Sequence, residues 1–184
     1  MKTLKALTPN QVDESTQEVF AAIKQKVGMV PNLYAAIGNS PALLKGFLAF
    51  SETLTGGVFT AKENEAIALV VSEINGCEYC LSAHSALGKM AGFSDNELVD
   101  IRKGIIEDNK LNALTELVAE ITENRGKTSQ AAIDNFLSVG YSHGALAELI
   151  GMVALRSFTN YIFSNGDFEI DFPKAASLAE LEVA

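Results

Sequence analysis

The sequence predicts an all-α domain. Apolar residues recur at three- and four-residue spacing through most of the chain, helix-capping signatures stand at the heads of those segments, and strand-like alternation is confined to the C-terminal tail.

The elements follow in order. Val19, Phe20, Ile23 and Val27 share one face of a first helix, which Gly28 ends. Pro31 starts a short second helix. Ser40-Pro41 is an N-cap with proline at the first helical position, and Leu43, Leu44, Phe47, Phe50 and Leu54 form one stripe until Gly56-Gly57. Thr60 and Glu63 form a capping box, so a helix begins there and runs through Glu65 to about Asn75-Gly76. Within it, Ala66 to Val71 has the length of a buried strand; the cap and the length of the whole segment decide for a buried helix. The next helix begins near Cys77 and ends at Gly92. Ser94 and Glu97 form a second capping box, heading a short helix to about Lys103. Leu111, Leu114, Leu117, Val118 and Ile121 mark another helix, with Glu116, Glu120 and Glu123 facing out. Ile133, Phe136 and Leu137 mark one more. Ser142 caps the last long helix, with Leu146, Leu149, Ile150, Val153 and Phe158 at core spacing. From about residue 165 the tail is irregular, and Phe168, Ile170 and Phe172 alternate with acidic residues as if lying extended against another surface. The expectation is one domain over residues 1–184 with about eight to nine helices.

Composition narrows the function. The chain is 48% hydrophobic, enough for a sizeable core without disulfide staples. Its net charge is −9 and it has no cluster of Lys and Arg, which excludes a nucleic-acid surface and disfavours an anionic membrane. Residues 1–7 lack the apolar core of a signal peptide, and no apolar run is long enough to span a bilayer. A cytosolic protein is expected. In reducing cytosol, two closely spaced cysteines point to redox chemistry or a metal.

Those cysteines are the only two in the chain: Cys77-Glu78-Tyr79-Cys80, followed by His84, one of two histidines. At the start of a helix, both sulfurs lie on its first turn, where free backbone N–H groups and the helix dipole stabilise a thiolate. His84 is four residues beyond Cys80 and shares its face. If the chain reverses at Gly76, Glu65 on the preceding helix comes opposite Leu87, one turn from His84. A line Cys80–His84–Glu65 then has the logic of a triad, with the carboxylate orienting the imidazole.

The pattern Glu65, Cys77-x-x-Cys80, His84 resembles the signature of the alkylhydroperoxidase AhpD family, within the carboxymuconolactone decarboxylase-like superfamily. Gly28-Met29-Val30-Pro31-Asn32, Thr159-Asn160-Tyr161 and Asp171-Phe172-Pro173 are similar to its uncharacterised peroxidase-related branch, so the resemblance covers about residues 14 to 174. It implies an all-α fold assembled as homotrimers or hexamers, and a thiol peroxidase or disulfide reductase. By that analogy Cys80 is the peroxidatic thiol, Cys77 the resolving thiol, and Glu65 with His84 the proton relay. A hydroperoxide is the substrate and an external dithiol, thioredoxin-like or lipoyl-bearing, the reductant. No cofactor is implied, because the dithiol carries the two electrons. One position departs from the family's best-known peroxidases, which place a histidine just before the second cysteine. Here it is Tyr79, whose phenol (pKa near ~10) carries protons less well at neutral pH than imidazole (near ~6.5).

Other readings of the same residues stand beside this one. The cysteines can be small core residues, or a non-catalytic redox sensor or assembly module. Cys77, Cys80 and His84, with Glu65 or water, can be zinc ligands. Tyr79 packs against a neighbour or donates a proton. His143, on the first turn of the last helix, is a surface or interface residue. Pro31 and Asn32 shape a turn without chemistry.

Overall fold

In the computed structural model, residues 3–183 are described and fold as ten α-helices, with 70% of the chain helical and no strand. The helices are α1 (Glu14–Val27), α2 (Asn32–Ile37), α3 (Pro41–Thr55), α4 (Ala61–Ile74), α5 (Glu78–Met90), α6 (Asp95–Lys103), α7 (Asn109–Glu123), α8 (Gln130–Ser138), α9 (His143–Asn165) and α10 (Leu178–Val183).

The predicted caps form. Thr60 and Glu63 close a reciprocal capping box at the head of α4, Ser94 and Glu97 do so for α6, and the Ser40 and Ser142 hydroxyls accept from Leu43 and Ala145 amides. Each satisfies amides that the first helical turn leaves without an intrahelical partner.

Helix α4 is the centre of the molecule. From Ala66 to Val71 it is apolar on every side and almost wholly buried, because α5, α6, α7 and α9 pack around it. This is why its sequence reads as a continuous apolar run instead of a stripe. Helix α9 runs about 34 Å along α2, α3, α4, α5 and α7 and presents Leu149, Met152, Val153 and Leu155 to the core.

The predicted apolar stripes are too broad. Val27, Leu43, Phe50 and Ile150 are 54, 42, 45 and 52% exposed. Leu44, Phe47 and Leu54 satisfy the inner face of α3, so Leu43 and Phe50, seven residues apart, share a flank that no other helix covers. A side chain added at Gly151 of α9 would meet the Phe50 ring 3.5 Å away, so Phe50 and the neighbouring Ile150 form one exposed apolar surface.

The tail is more ordered than its sequence suggests. Gly166 forms a parallel bridge with Leu4, and the Asp167 amide donates to the Leu4 carbonyl at 2.7 Å. Phe168, Ile170 and Phe172 then pack against the core, as their alternation predicts. Beyond them the reading of an irregular tail is corrected by α10. Its signal is a further capping box, in which the Ser177 amide and hydroxyl both donate to Glu180. No single helix among the described residues is long and apolar enough to cross a membrane.

Candidate active site

Helices α4 and α5 are joined by Asn75, Gly76 and Cys77 alone. Gly76 takes a left-handed conformation (φ 64°), and the Cys77 amide donates back to the Ser72 carbonyl at 2.9 Å, so the chain reverses within one turn. The helices therefore pack antiparallel. Glu65 and His84 meet across them: Glu65 Oε2 lies 2.7 Å from His84 Nδ1, with both side chains largely buried (15 and 11% exposed).

Cys77 is the N-cap of α5. Its sulfur accepts from the Cys80 amide at 3.3 Å, the place a serine hydroxyl usually takes. The two sulfurs are 2.6 Å apart, with the Cys77 thiol donating to Cys80. A disulfide bond at about 2.05 Å needs only a small further approach. Standing at the mouth of α5 does not expose the sulfurs. Cys77 is 0% and Cys80 2% exposed, both within the hydrophobic core, because the tight hairpin and α9 enclose the first turn of α5.

Helix α9 supplies the residues that sequence reasoning missed. Asn160 is buried nearby, where its amide favours the ionised form of both thiols. Its orientation is fixed: Asn75 Nδ2 donates to Asn160 Oδ1 at 2.9 Å, which turns the Asn160 amide nitrogen toward Ser72 and the thiols. Thr159 contacts Cys80, while its hydroxyl also donates to the Arg156 carbonyl at 2.8 Å. Arg156 lies one turn earlier and is 8% exposed. Thr159-Asn160 carried part of the family resemblance, but no periodicity ties residue 160 to residue 77.

These contacts split the two thiols. The Cys77 hydrogen bond holds the Cys80 thiol below its ordinary value against the opposing effect of burial, helped by Asn160, Thr159 and the Arg156 charge. Cys77 is pushed up, first by donating to Cys80 and then by burial. Of the pair, Cys80 is the sulfur whose ionised form these contacts favour. Burial pushes Glu65 up, but the His84 charge, the hydrogen bond from His84 and the Arg156 charge outweigh it, so its carboxyl stays below its ordinary range.

Tyr79 is turned away from proton chemistry. Its hydroxyl donates to Asp171 Oδ1 at 2.7 Å and accepts from the Leu33 amide at 3.2 Å. Phe163, Phe168 and Phe172 surround the ring at centroid distances of 5.5 to 5.8 Å. Burial, and then the bond to Asp171, push the phenol well above its ordinary value. The packing reading of Tyr79 is the one this geometry supports. Asp171 also accepts from the Asn32 amide at 2.7 Å, so Pro31-Asn32 and Asp171-Phe172 are two halves of one tail anchor. His143 is on the surface at the head of α9. Among the described residues no three of His, Cys, Asp and Glu are gathered for a metal, and His84 faces Glu65, so the zinc reading has no ligand set here.

Known proteins resemble this chain in sequence or fold. The model of the carboxymuconolactone decarboxylase family matches residues 41–123, which hold Glu65, both cysteines and His84. An alkyl hydroperoxide reductase of Mycobacterium tuberculosis is 27% identical over 93 residues, which is 50% of this chain and 27% of that protein; the chain thus matches about a quarter of its length. The AhpD core structure of an uncharacterised peroxidase-related protein from Ralstonia eutropha JMP134 superposes with a TM-score of 0.79 at 15% identity, over 95% of this chain and 94% of that one. The debrominase Bmp8, as a cysteine-to-alanine variant in complex with 2,3,4-tribromopyrrole, superposes with a TM-score of 0.76 at 20% identity, over 100 and 98% of the two chains. The segment 41–123 thus matches the carboxymuconolactone decarboxylase family model, and the chain has the fold of these AhpD-like neighbours over nearly its whole length.

Proposed function

We propose that this protein is a thiol-dependent peroxidase in which Cys80 attacks a hydroperoxide. The observation that carries the reading is the junction of two sulfurs 2.6 Å apart with a buried Glu65–His84 pair on the same helical hairpin. The Cys80 thiolate attacks the outer peroxide oxygen, the O–O bond breaks, and an alkoxide leaves. His84, oriented by Glu65, returns the proton released by Cys80 to that alkoxide through solvent admitted with the substrate. The products are an alcohol and a Cys80 sulfenic acid. The Cys77 thiol attacks that sulfur, a disulfide forms and water leaves. An external dithiol, thioredoxin-like or lipoyl-bearing, then donates two electrons and two protons and is itself oxidised to a disulfide.

The test is consumption of tert-butyl hydroperoxide with dithiothreitol. Steady turnover by the wild type and none by Cys80→Ser is expected; equal rates for the two would sink the reading. The same dithiol has the electrons to reduce an electrophilic C–Br bond, giving C–H, bromide and the disulfide. A bromopyrrole therefore belongs in the same assay.

Burial of both sulfurs favours a second reading, a redox sensor whose disulfide alters assembly without turnover. Reversible oxidation with a change in assembly, and negligible peroxide consumption, distinguishes it. In either case the exposed surface of Leu43, Phe50 and Ile150 supports assembly into a homo-oligomer.

A further inference from the structure

Asn160, on α9, is only 1% exposed. A primary amide buried in a core has to find partners, because leaving it unpaired is costly. This one finds them in the turn that carries Cys77. Asn75 Nδ2 donates to Asn160 Oδ1 at 2.9 Å, and Asn160 Nδ2 donates to the Ser72 hydroxyl oxygen at 3.3 Å. Ser72 is itself fully buried.

Those two partners frame the turn. Helix α4 ends in a Schellman motif: the Cys77 amide donates to the Ser72 carbonyl at 2.9 Å, the Gly76 amide donates to the Glu73 carbonyl at 3.1 Å, and Gly76 is left-handed. Asn75 is the C-cap of α4. Cys77 closes this motif and is also the N-cap of α5, its sulfur accepting from the Cys80 amide at 3.3 Å and lying 2.6 Å from the Cys80 sulfur. The backbone that ends one helix therefore aims the side chain that starts the next. Farther along α9, Phe163 packs on the Tyr79 ring at a centroid distance of 5.5 Å. Helix α9 thus holds the chain on both sides of Cys77, by hydrogen bonds before it and by an aromatic contact after it.

We propose that Asn160 is a positioning residue for the dithiol: it staples the α4–α5 turn to α9 through Asn75 and Ser72, and so holds the Cys77 sulfur within closing distance of Cys80. The assignment rests on the Cys77–Cys80 dithiol proposed above, but not on peroxide as its oxidant. Its consequence is preorganisation. A disulfide closes at least cost when its two sulfurs already stand together, so the staple favours the disulfide over the dithiol. An amide acting only on thiolate charge would do the opposite, because whatever stabilises a thiolate favours the reduced pair.

Equilibrium with glutathione tests this without peroxide. Protein dithiol plus oxidised glutathione gives protein disulfide plus two reduced glutathiones. The Cys77–Cys80 bond forms, the glutathione S–S bond breaks, and two electrons and two protons pass to glutathione. Asn160→Leu, close in size but unable to hydrogen-bond, should shift the equilibrium toward the dithiol about tenfold, or about 30 mV. Asn75→Ala removes one arm of the staple at a half-buried position and should shift it the same way, with the double variant moving no further than Asn160→Leu alone. A residue that merely stabilised the fold would lower the urea midpoint and leave this potential where it was. An unchanged potential in Asn160→Leu, a shift toward the disulfide, or effects of the two substitutions that simply add would overturn the proposal. Should Asn160→Leu not fold, Asn75→Ala and Ser72→Ala carry the test: both should move the potential toward the dithiol, and no movement in either overturns the staple. A wild type that forms no disulfide at any glutathione ratio would instead remove the dithiol reading, and this one with it.

Discussion

Glu65 Oε2 meets His84 Nδ1 at 2.7 Å across the α4–α5 hairpin, and both groups are largely buried. The carboxylate fixes which imidazole nitrogen is engaged; in the proposed peroxidase the other carries the proton. Glu65→Gln keeps the shape but not the charge. It should lower peroxide turnover about 10²-fold, the scale of general acid–base catalysis, while leaving the melting temperature nearly unchanged. A fall below threefold with the fold intact would remove Glu65 from the mechanism.

The same carboxyl sets an acid limb of stability. Its pKa in the folded protein lies below the ordinary 4.5. The ionised form therefore contributes fully above that value, and the contribution is lost as pH falls through the lower folded pKa. Chemical denaturation from pH 6 down to about 3 should show a steeper decline in the wild type than in Glu65→Gln. Parallel curves would contradict the assignment.

For Cys80 the sign is the same. The thiol is depressed, so the nucleophile is present above its folded midpoint and is lost as pH falls below it. Single-turnover oxidation by peroxide should rise with pH and level off with a midpoint below that of an ordinary free thiol. Cys77→Ser should then leave a sulfenic acid on Cys80 that dimedone traps. Dimedone labelling of Cys77 in Cys80→Ser, with none on Cys80 in the converse variant, would exchange the two roles.

Tyr79 offers a separation of stability from chemistry. Tyr79→Phe removes a hydroxyl bound to Asp171 and Leu33 but keeps the ring among Phe163, Phe168 and Phe172. Leaving Asp171 without that donor should cost about 1–3 kcal/mol in urea unfolding, with turnover per folded molecule within twofold of wild type. Lost turnover at unchanged stability would return Tyr79 to the proton pathway.

The buried thiols predict selective access. With Cys77 and Cys80 at 0 and 2% exposure, a bulky reagent such as Ellman's should react far more slowly with native than with urea-unfolded protein. Equal rates in the two states would show that the first turn of α5 is open in solution.

Much of this site was legible because it is local. The box at Thr60 and Glu63 fixes where α4 starts, Gly76 fixes where it reverses, and counting outward from that reversal brings residue 65 to within one turn of residue 84. What was not legible is long-range. Nothing in the spacing of Arg156, Thr159 and Asn160 says that α9 crosses the first turn of α5, and it is that crossing which buries the sulfurs and orients Asn160. The exposed Leu43, Phe50 and Ile150 were misjudged for the opposite reason. Periodicity reports that a helix has an apolar face, but not how much of that face its own chain covers.

The bridge between Leu4 and Gly166 has a practical corollary. It clasps the N-terminal strand of backbone to the start of the segment that carries Phe168, Asp171 and Phe172 onto Tyr79, the residue lying between the two cysteines. A purification handle or a trimming cut before Pro9 would therefore pull on the cysteine pair from a distance, and any assay of this protein is best run with that end left as it is.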